Sequence, residues 1–169
     1  MSNVYLSYSS RDNQHAEELA KELQALGISA WLDSKDLVPG SDFKQAISSA
    51  ISNARLIAFL VEPGASREKA QWEYMEALGH SWSDNEKILV PVLIGNAEPP
   101  SFLRHAPALR VRPRNPEWAR TAKQIAKLLS QGGSLKRRKP PVKEQIKRLN
   151  LIERGANALR VRDDESVRK

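Results

Sequence analysis

Short apolar runs alternate with stretches in which apolar residues recur every three or four positions. Val4-Tyr5-Leu6-Ser7-Tyr8 is a β-rich run and predicts a first strand. Asp12 or Asn13 can cap a following helix whose apolar face is Ala16, Leu19, Ala20, Leu23 and Leu26, with Gly27 as its stop. Ile28-Ser29-Ala30-Trp31-Leu32 predicts the second strand, and Asp33 to Asp42 a loop turning at Pro39-Gly40. Phe43, Ile47, Ala50, Ile51 and Ala54 keep helical spacing. The continuous apolar run Leu56-Ile57-Ala58-Phe59-Leu60-Val61 predicts a strand covered on both faces, ended by Pro63-Gly64. A helix is expected from about Ser66 to Gly79. Residues 88–94 (Ile-Leu-Val-Pro-Val-Leu-Ile) predict a fourth strand, in which Pro91 argues against a central position. Residues 108–111 form a weak fifth strand, and Trp118 to Leu129 a final helix with Ala122, Ile125, Ala126 and Leu129 inward.

This strand–helix alternation predicts an α/β fold, a flavodoxin-like five-stranded parallel sheet with helices on both faces. Ligands in such sheets gather at the carboxyl ends of the strands. Three polar loops fall on that edge: Ser9 to Asp12, Asp33 to Asp42, and Glu62 to Lys69.

The helix expected after the third strand carries an unusual pair. At 100° per residue, Ala70, Tyr74, Ala77 and Leu78 make its core stripe. Trp72 and Glu76, four apart, lie together on the opposite side. One reading is a Trp packed on a loop beside a solvated Glu. The other is an aromatic platform next to a catalytic or ribose-binding carboxylate. Trp31 lies near the same edge, as a core residue or as part of such a site.

Charge changes the picture of the chain's end. The net charge is +7, which on its own points to an acidic partner such as nucleic acid. Residues 1–130 hold 15 Lys+Arg against 15 Asp+Glu, whereas residues 131–169 hold 12 against 5. The whole excess therefore sits in an appendage of 39 residues. The organisation expected is a neutral body over 1–130, a basic Gly/Pro linker over 131–141, and a basic tail over 142–169. Val142, Ile146, Leu149 and Ile152 recur at helical spacing in that tail, followed by an irregular end from Arg160. Nucleic acid binding is expected only through the tail, and aromatics for base stacking are absent from residue 119 onward.

Other chemistries lack their residues. There is no Cys, so disulfides, thiolate metal sites and Cys nucleophiles are excluded. No Gly-x-Gly-x-x-Gly or Gly-Lys-Ser/Thr motif is present, against redox dinucleotide or P-loop binding. His15, His80 and His105 have no metal spacing and read as ordinary surface or helix residues, so no metal is expected. A phosphoacceptor receiver domain would need an acidic pair after the first strand and an Asp ending the third. Ser9-Ser10 and Glu62 stand there instead. No apolar run approaches the ~18 residues of a membrane span and no secretory leader is visible, so a cytoplasmic protein is expected.

Three segments carry a resemblance. Residues 4–12 (Val-Tyr-Leu-Ser-Tyr-Ser-Ser-Arg-Asp) resemble the first box of Toll/interleukin-1 receptor (TIR) domains. Trp31-Leu32-Asp33 with Lys35-Asp36-Leu37-Val38-Pro39-Gly40 resembles their second strand and BB loop. Trp72-Glu73-Tyr74-Met75-Glu76 is similar to the family's Trp-x-x-x-Glu segment. The resemblance covers about residues 3–130, most like a small prokaryotic TIR protein. It implies an NAD+-consuming activity, as nucleosidase or ADP-ribosyl cyclase, in bacterial antiviral defence and nucleotide signalling. NAD+ is then substrate, and no cofactor is expected. Glu76 matches the catalytic position, and Trp72, Trp31, Ser9, Ser10, Arg11 and Lys35 the substrate-binding positions. Asp33, Asp36, Leu37, Pro39 and Gly40 match the loop that rearranges on TIR–TIR self-association. Glu73 departs from the Cys that many eukaryotic members carry after the Trp. The alternatives are a non-enzymatic TIR–TIR interaction module and a nucleic-acid binder acting through the tail.

Overall fold

The computed structural model describes residues 3–9, 13–32, 42–64, 87–104 and 106–131. The chain divides into two compact units, Met1–Ser134 and Leu135–Lys169, and all the described residues belong to the first. The expected helix over 66–79 and the tail over 142–169 lie outside the described residues.

Five strands form one parallel sheet: β1 (Val4–Ser7), β2 (Ala30–Trp31), β3 (Leu56–Val61), β4 (Ile88–Ile94) and β5 (Leu109–Val111), in the order β2-β1-β3-β4-β5. The described helices are α1 (Asn13–Ala25), α2 (Phe43–Asn53) and α3 (Trp118–Ser130), with a short 3-10 turn at Ser101–Leu103. This is the doubly wound arrangement expected from the element order.

Alternation along the strands builds two cores. Val4, Leu6, Leu56, Ala58, Leu60, Val90, Val92 and Ile94 face α1 and α3 and pack on Leu19, Leu23, Trp118, Ala122 and Ile125. Tyr5, Ile57, Phe59 and Leu89 face the other way, against Ile47 and Ile51 of α2.

α1 ends in a paired cap. The Gly27 amide donates to the Gln24 carbonyl at 2.9 Å and the Ile28 amide to the Leu23 carbonyl at 3.0 Å. Gly27 adopts φ +74° with open space where a Cβ would stand, so the backbone conformation, not crowding, selects glycine. Gly27→Ala is expected to cost about 1–2 kcal/mol through that dihedral, read as a lowered midpoint in thermal unfolding. The cap also shortens the second strand. Ile28 completes the helix cap, and β2 is only Ala30–Trp31 rather than 28–32. Leu26, expected on the apolar face, is instead 43% exposed because it sits in the terminating turn beyond the last helical residue.

Two further ends are fixed by polar groups. The Asp42 side chain accepts from the Gln45 amide at 3.3 Å and caps the start of α2. At the other end, the Lys87 ammonium donates to the carbonyls of Ile51 (2.8 Å), Ser52 (2.6 Å) and Ala54 (2.7 Å). A helix C-terminus leaves such carbonyls without intrahelical partners, and a cation there also complements the helix dipole. Lys87→Met keeps the aliphatic stem and removes the donor. It is expected to lower stability by about 1–3 kcal/mol, seen as a reduced urea midpoint with unchanged slope.

Pro91 does occupy a strand paired on both sides, against the sequence expectation. The reason is parity. The Ile88 amide donates towards β3, to the Arg55 carbonyl, and the Gly95 amide towards β5, to the Val111 carbonyl. Residues 89, 91, 93 and 95 thus face the β5 side. Pairing with β5 begins only at Val92, so the missing N–H of Pro91 falls before the partner strand starts.

Candidate functional site

The strand order reverses direction between β1 and β3: the chain leaves β1 towards β2, then returns across β1 to β3. A crevice at the carboxyl edge is expected where such a reversal occurs. The described residues there are Tyr8 and Ser9 after β1, Leu32 after β2, and Glu62, Pro63 and Gly64 after β3. Tyr8 is buried in the α1/α3-side core, whereas Ser9, the next residue, is half-buried. The turn after β3 is made by Pro63 and by Gly64, which adopts φ +75°.

Trp31 is half-buried at the end of β2, in register with Tyr5 of β1. The two rings stack at 5.0 Å with planes 14° apart, and Trp31 packs against the α2-side core. Its neighbour on the sheet is therefore the fully buried Tyr5.

A second pairing at this edge has no counterpart in the sequence motifs. His15, in the first turn of α1, places Nε2 3.2 Å from Oε1 of Glu62, the first residue beyond β3. The two side chains are 26% and 27% exposed. The His15 ring leans on Trp118 of α3, with centroids 5.5 Å apart and planes at 45°. His15 Nδ1, Asn13 Oδ1 and Trp118 Nε1 are buried with no hydrogen-bond partner among the described residues. His15 is a helix residue, as the sequence suggests, and in addition a partly buried tie between three elements. Only a tertiary contact reveals this, because no spacing rule links positions 15 and 62.

The remaining sequence-derived site residues, Ser10, Arg11, Asp33, Lys35, Asp36, Leu37, Pro39, Gly40, Trp72 and Glu76, lie outside the described residues. Among the described residues, no three His, Asp or Glu side chains gather as metal ligands. A groove between α1 and α3 is bordered by Glu18, Lys21 and Glu22 on one side and Glu117, Arg120 and Lys123 on the other. Its charges are balanced in sign, and none of the sequence-derived site residues lines it. None of the described helices is long and apolar enough to cross a membrane.

The family model for the TIR domain matches residues 4–129, which take in the whole sheet, α1, α2 and all but the last residue of α3. The chain belongs to the TIR domain family. Among solved structures it is similar to the TIR domain of the Toll-related receptor TRR-2 from Hydra magnipapillata. That similarity is 18% identity with a TM-score of 0.51, covering 78% of this chain and 98% of that one. It is also similar to a metazoan TIR-STING receptor from C. gigas, solved in complex with 2',3'-cGAMP. There the identity is 21% and the TM-score 0.60, over 75% of this chain and 39% of the receptor. No curated protein matches. The TIR match and the five-stranded parallel sheet agree with the resemblance and fold class read from the sequence.

Proposed function

We propose that this TIR domain cleaves NAD+ at the nicotinamide–ribose bond, as a nucleosidase, an ADP-ribosyl cyclase, or both, in an antiviral defence of the bacterial kind. The supporting observation is the match to the TIR family over residues 4–129, which includes the Trp72-x-x-x-Glu76 segment after β3. In the β2-β1-β3 sheet the described chain leaves β1 at Ser9 and β3 at Glu62 along the same carboxyl edge.

The chemistry suits these residue types. Departure of nicotinamide leaves an oxocarbenium-like ribose, as in glycoside cleavage. The leaving group is cationic in NAD+, so no strong general acid is needed. The Glu76 carboxylate holds ribose hydroxyls and stabilises the positive charge that develops. Trp72 and Trp31 supply aromatic surface for the bases and exclude water. Capture of the ribosyl cation by water gives ADP-ribose, and capture by the molecule's own adenine or a ribose hydroxyl gives a cyclic product. Ser9, Ser10, Arg11 and Lys35 contact NAD+, and the loop of Asp33, Asp36, Leu37, Pro39 and Gly40 serves self-association, which brings a neighbour's loop to the pocket. The protein acts in the cytoplasm, with NAD+ as substrate and no bound cofactor.

Purified protein is to be incubated with NAD+, alone and with infected-cell lysate, and the products separated chromatographically. Release of nicotinamide by the wild type is the expected result. NAD+ left intact under every condition would leave TIR–TIR association as the function, with the domain acting as an interaction module.

A further inference from the structure

Charge in residues 1–130 is balanced in sum but not in place. Residues 1–103 hold 8 Lys+Arg against 14 Asp+Glu, whereas residues 104–130 hold 7 against a single carboxylate, Glu117. The zero sum hides this division, and read alone it confines nucleic acid to the tail. The basic segment comprises β5, the turn after it and α3. All seven of its cations are exposed. Two are committed within the fold: Arg110 donates to the carbonyls of Gly95 (2.9 Å) and Ala97 (3.3 Å), and Arg120 pairs with Glu117 at 3.3 Å. Arg104, Arg112, Arg114, Lys123 and Lys127 form no ion pair or hydrogen bond among the described residues.

α3 sets three of the cations in line. At 100° per residue, Arg120, Lys123 and Lys127 fall within about 60° of arc, opposite the core residues Trp118, Ala122, Ile125 and Leu129. They run about 10 Å along the helix, the rise of about three base pairs in a duplex. Arg112 and Arg114 stand in the turn between β5 and α3 and continue the track beyond the start of the helix. No side chain caps that start, so its first amides add partial positive charge there. Towards α1 the track ends at the groove, whose far wall carries Glu18 and Glu22. β3 and β4 separate β5 from β1, so this surface is distinct from the switch point.

The chemistry of the patch selects its occupant. Protein interfaces are anchored by aromatic or apolar side chains at their centre. Trp118, the sole Phe, Trp or Tyr from residue 104 onward, is only 5% exposed. The one exposed large hydrophobic among the described residues, Leu26, lies in the turn after α1. The same lack leaves no apolar face to enter a lipid surface and no ring on which single-stranded bases stack. Guanidinium and ammonium groups spaced along a rod match the phosphates of a duplex. We propose that the outer face of α3 and the turn before it bind a nucleic acid duplex through its phosphates, without reading base sequence. This surface serves the protein whether or not it cleaves NAD+.

The test uses the full chain, so the tail is present throughout, and fluorescence anisotropy of a mixed-sequence DNA duplex of about 20 base pairs between about 50 and 200 mM salt. Two patch variants, Arg112→Gln/Arg114→Gln and Lys123→Gln/Lys127→Gln, are compared with Lys21→Gln/Arg55→Gln, which removes the same charge from exposed positions elsewhere. Each patch variant is expected to weaken binding about tenfold and to flatten the slope of log K against log salt by about 2, with the control within about twofold of wild type. Equal losses in all three variants mean that net charge alone acts, and they overturn the patch. Slopes unchanged in both patch variants overturn it too, and leave any duplex binding to the tail. Tighter binding of the matching single strand overturns the duplex as occupant. So does a patch-dependent affinity for phosphatidylserine vesicles or a polyglutamate peptide without one for the duplex, which assigns the surface to a membrane or an acidic protein.

Discussion

Nicotinamide release from NAD+ is expected to fall by about 10²–10³-fold in Glu76→Gln. The substitution preserves side-chain size and the capacity to hydrogen-bond ribose hydroxyls. It removes the negative charge. If the rate-limiting step builds positive charge on the ribose, the loss appears mainly in kcat, because the neutral ground-state ribose interacts with carboxylate and amide about equally. Glu76→Ala removes the hydroxyl contacts as well and is expected to raise KM in addition. Both variants are to be compared with wild type by product chromatography, alongside thermal unfolding to verify that the fold persists. A Glu76→Gln protein that turns over NAD+ at the wild-type rate, with the same products, would falsify the assignment of Glu76 as the catalytic carboxylate.

The largest expected effect on stability is at Phe59. It lies in β3, paired to β1 on one side and β4 on the other, and is fully buried. Its ring faces α2 within the cluster of Tyr5, Ile47, Ile51, Ile57 and Leu89. Phe59→Ala deletes a large side chain from a layer whose neighbours are held by strand pairing on both sides, so the cavity cannot collapse readily. The expected cost is about 3–5 kcal/mol, compared with less than about 1.5 kcal/mol for Phe59→Leu if the core repacks around the retained volume. Urea denaturation measures both, and a Phe59→Ala midpoint close to that of Phe59→Leu contradicts a tightly packed α2-side core. Leu26, an equally apolar residue at 43% exposure, is expected to tolerate Ala with little loss and serves as the internal control.

The elements legible in sequence were those whose burial depends on local period. The uninterrupted apolar run of β3 and the apolar stripes at Ala16, Leu19 and Leu23 or at Ala122, Ile125 and Leu129 follow from strand and helix geometry alone. Leu26 and Ile28 depart from the expected pattern because period says nothing of where the chain turns: Gly27 makes α1 stop in a paired cap, which takes Leu26 from the helix face and Ile28 from β2. The strand at 88–94 is legible despite Pro91, and the reservation that Pro91 raises is removed only by hydrogen-bond parity, which decides whether a missing N–H matters.

The candidate site divides in the same way. The sequence by itself determined the doubly wound order of elements, the neutral body with its basic tail, and the family motifs containing Trp31, Trp72 and Glu76, because each is a matter of composition or short-range spacing. Only the tertiary structure decided that Trp31 stacks on Tyr5, that Lys87 closes the end of α2, and that His15 meets Glu62 against Trp118. These contacts join residues far apart along the chain. Their energy depends on distance and burial in three dimensions, which no local pattern encodes.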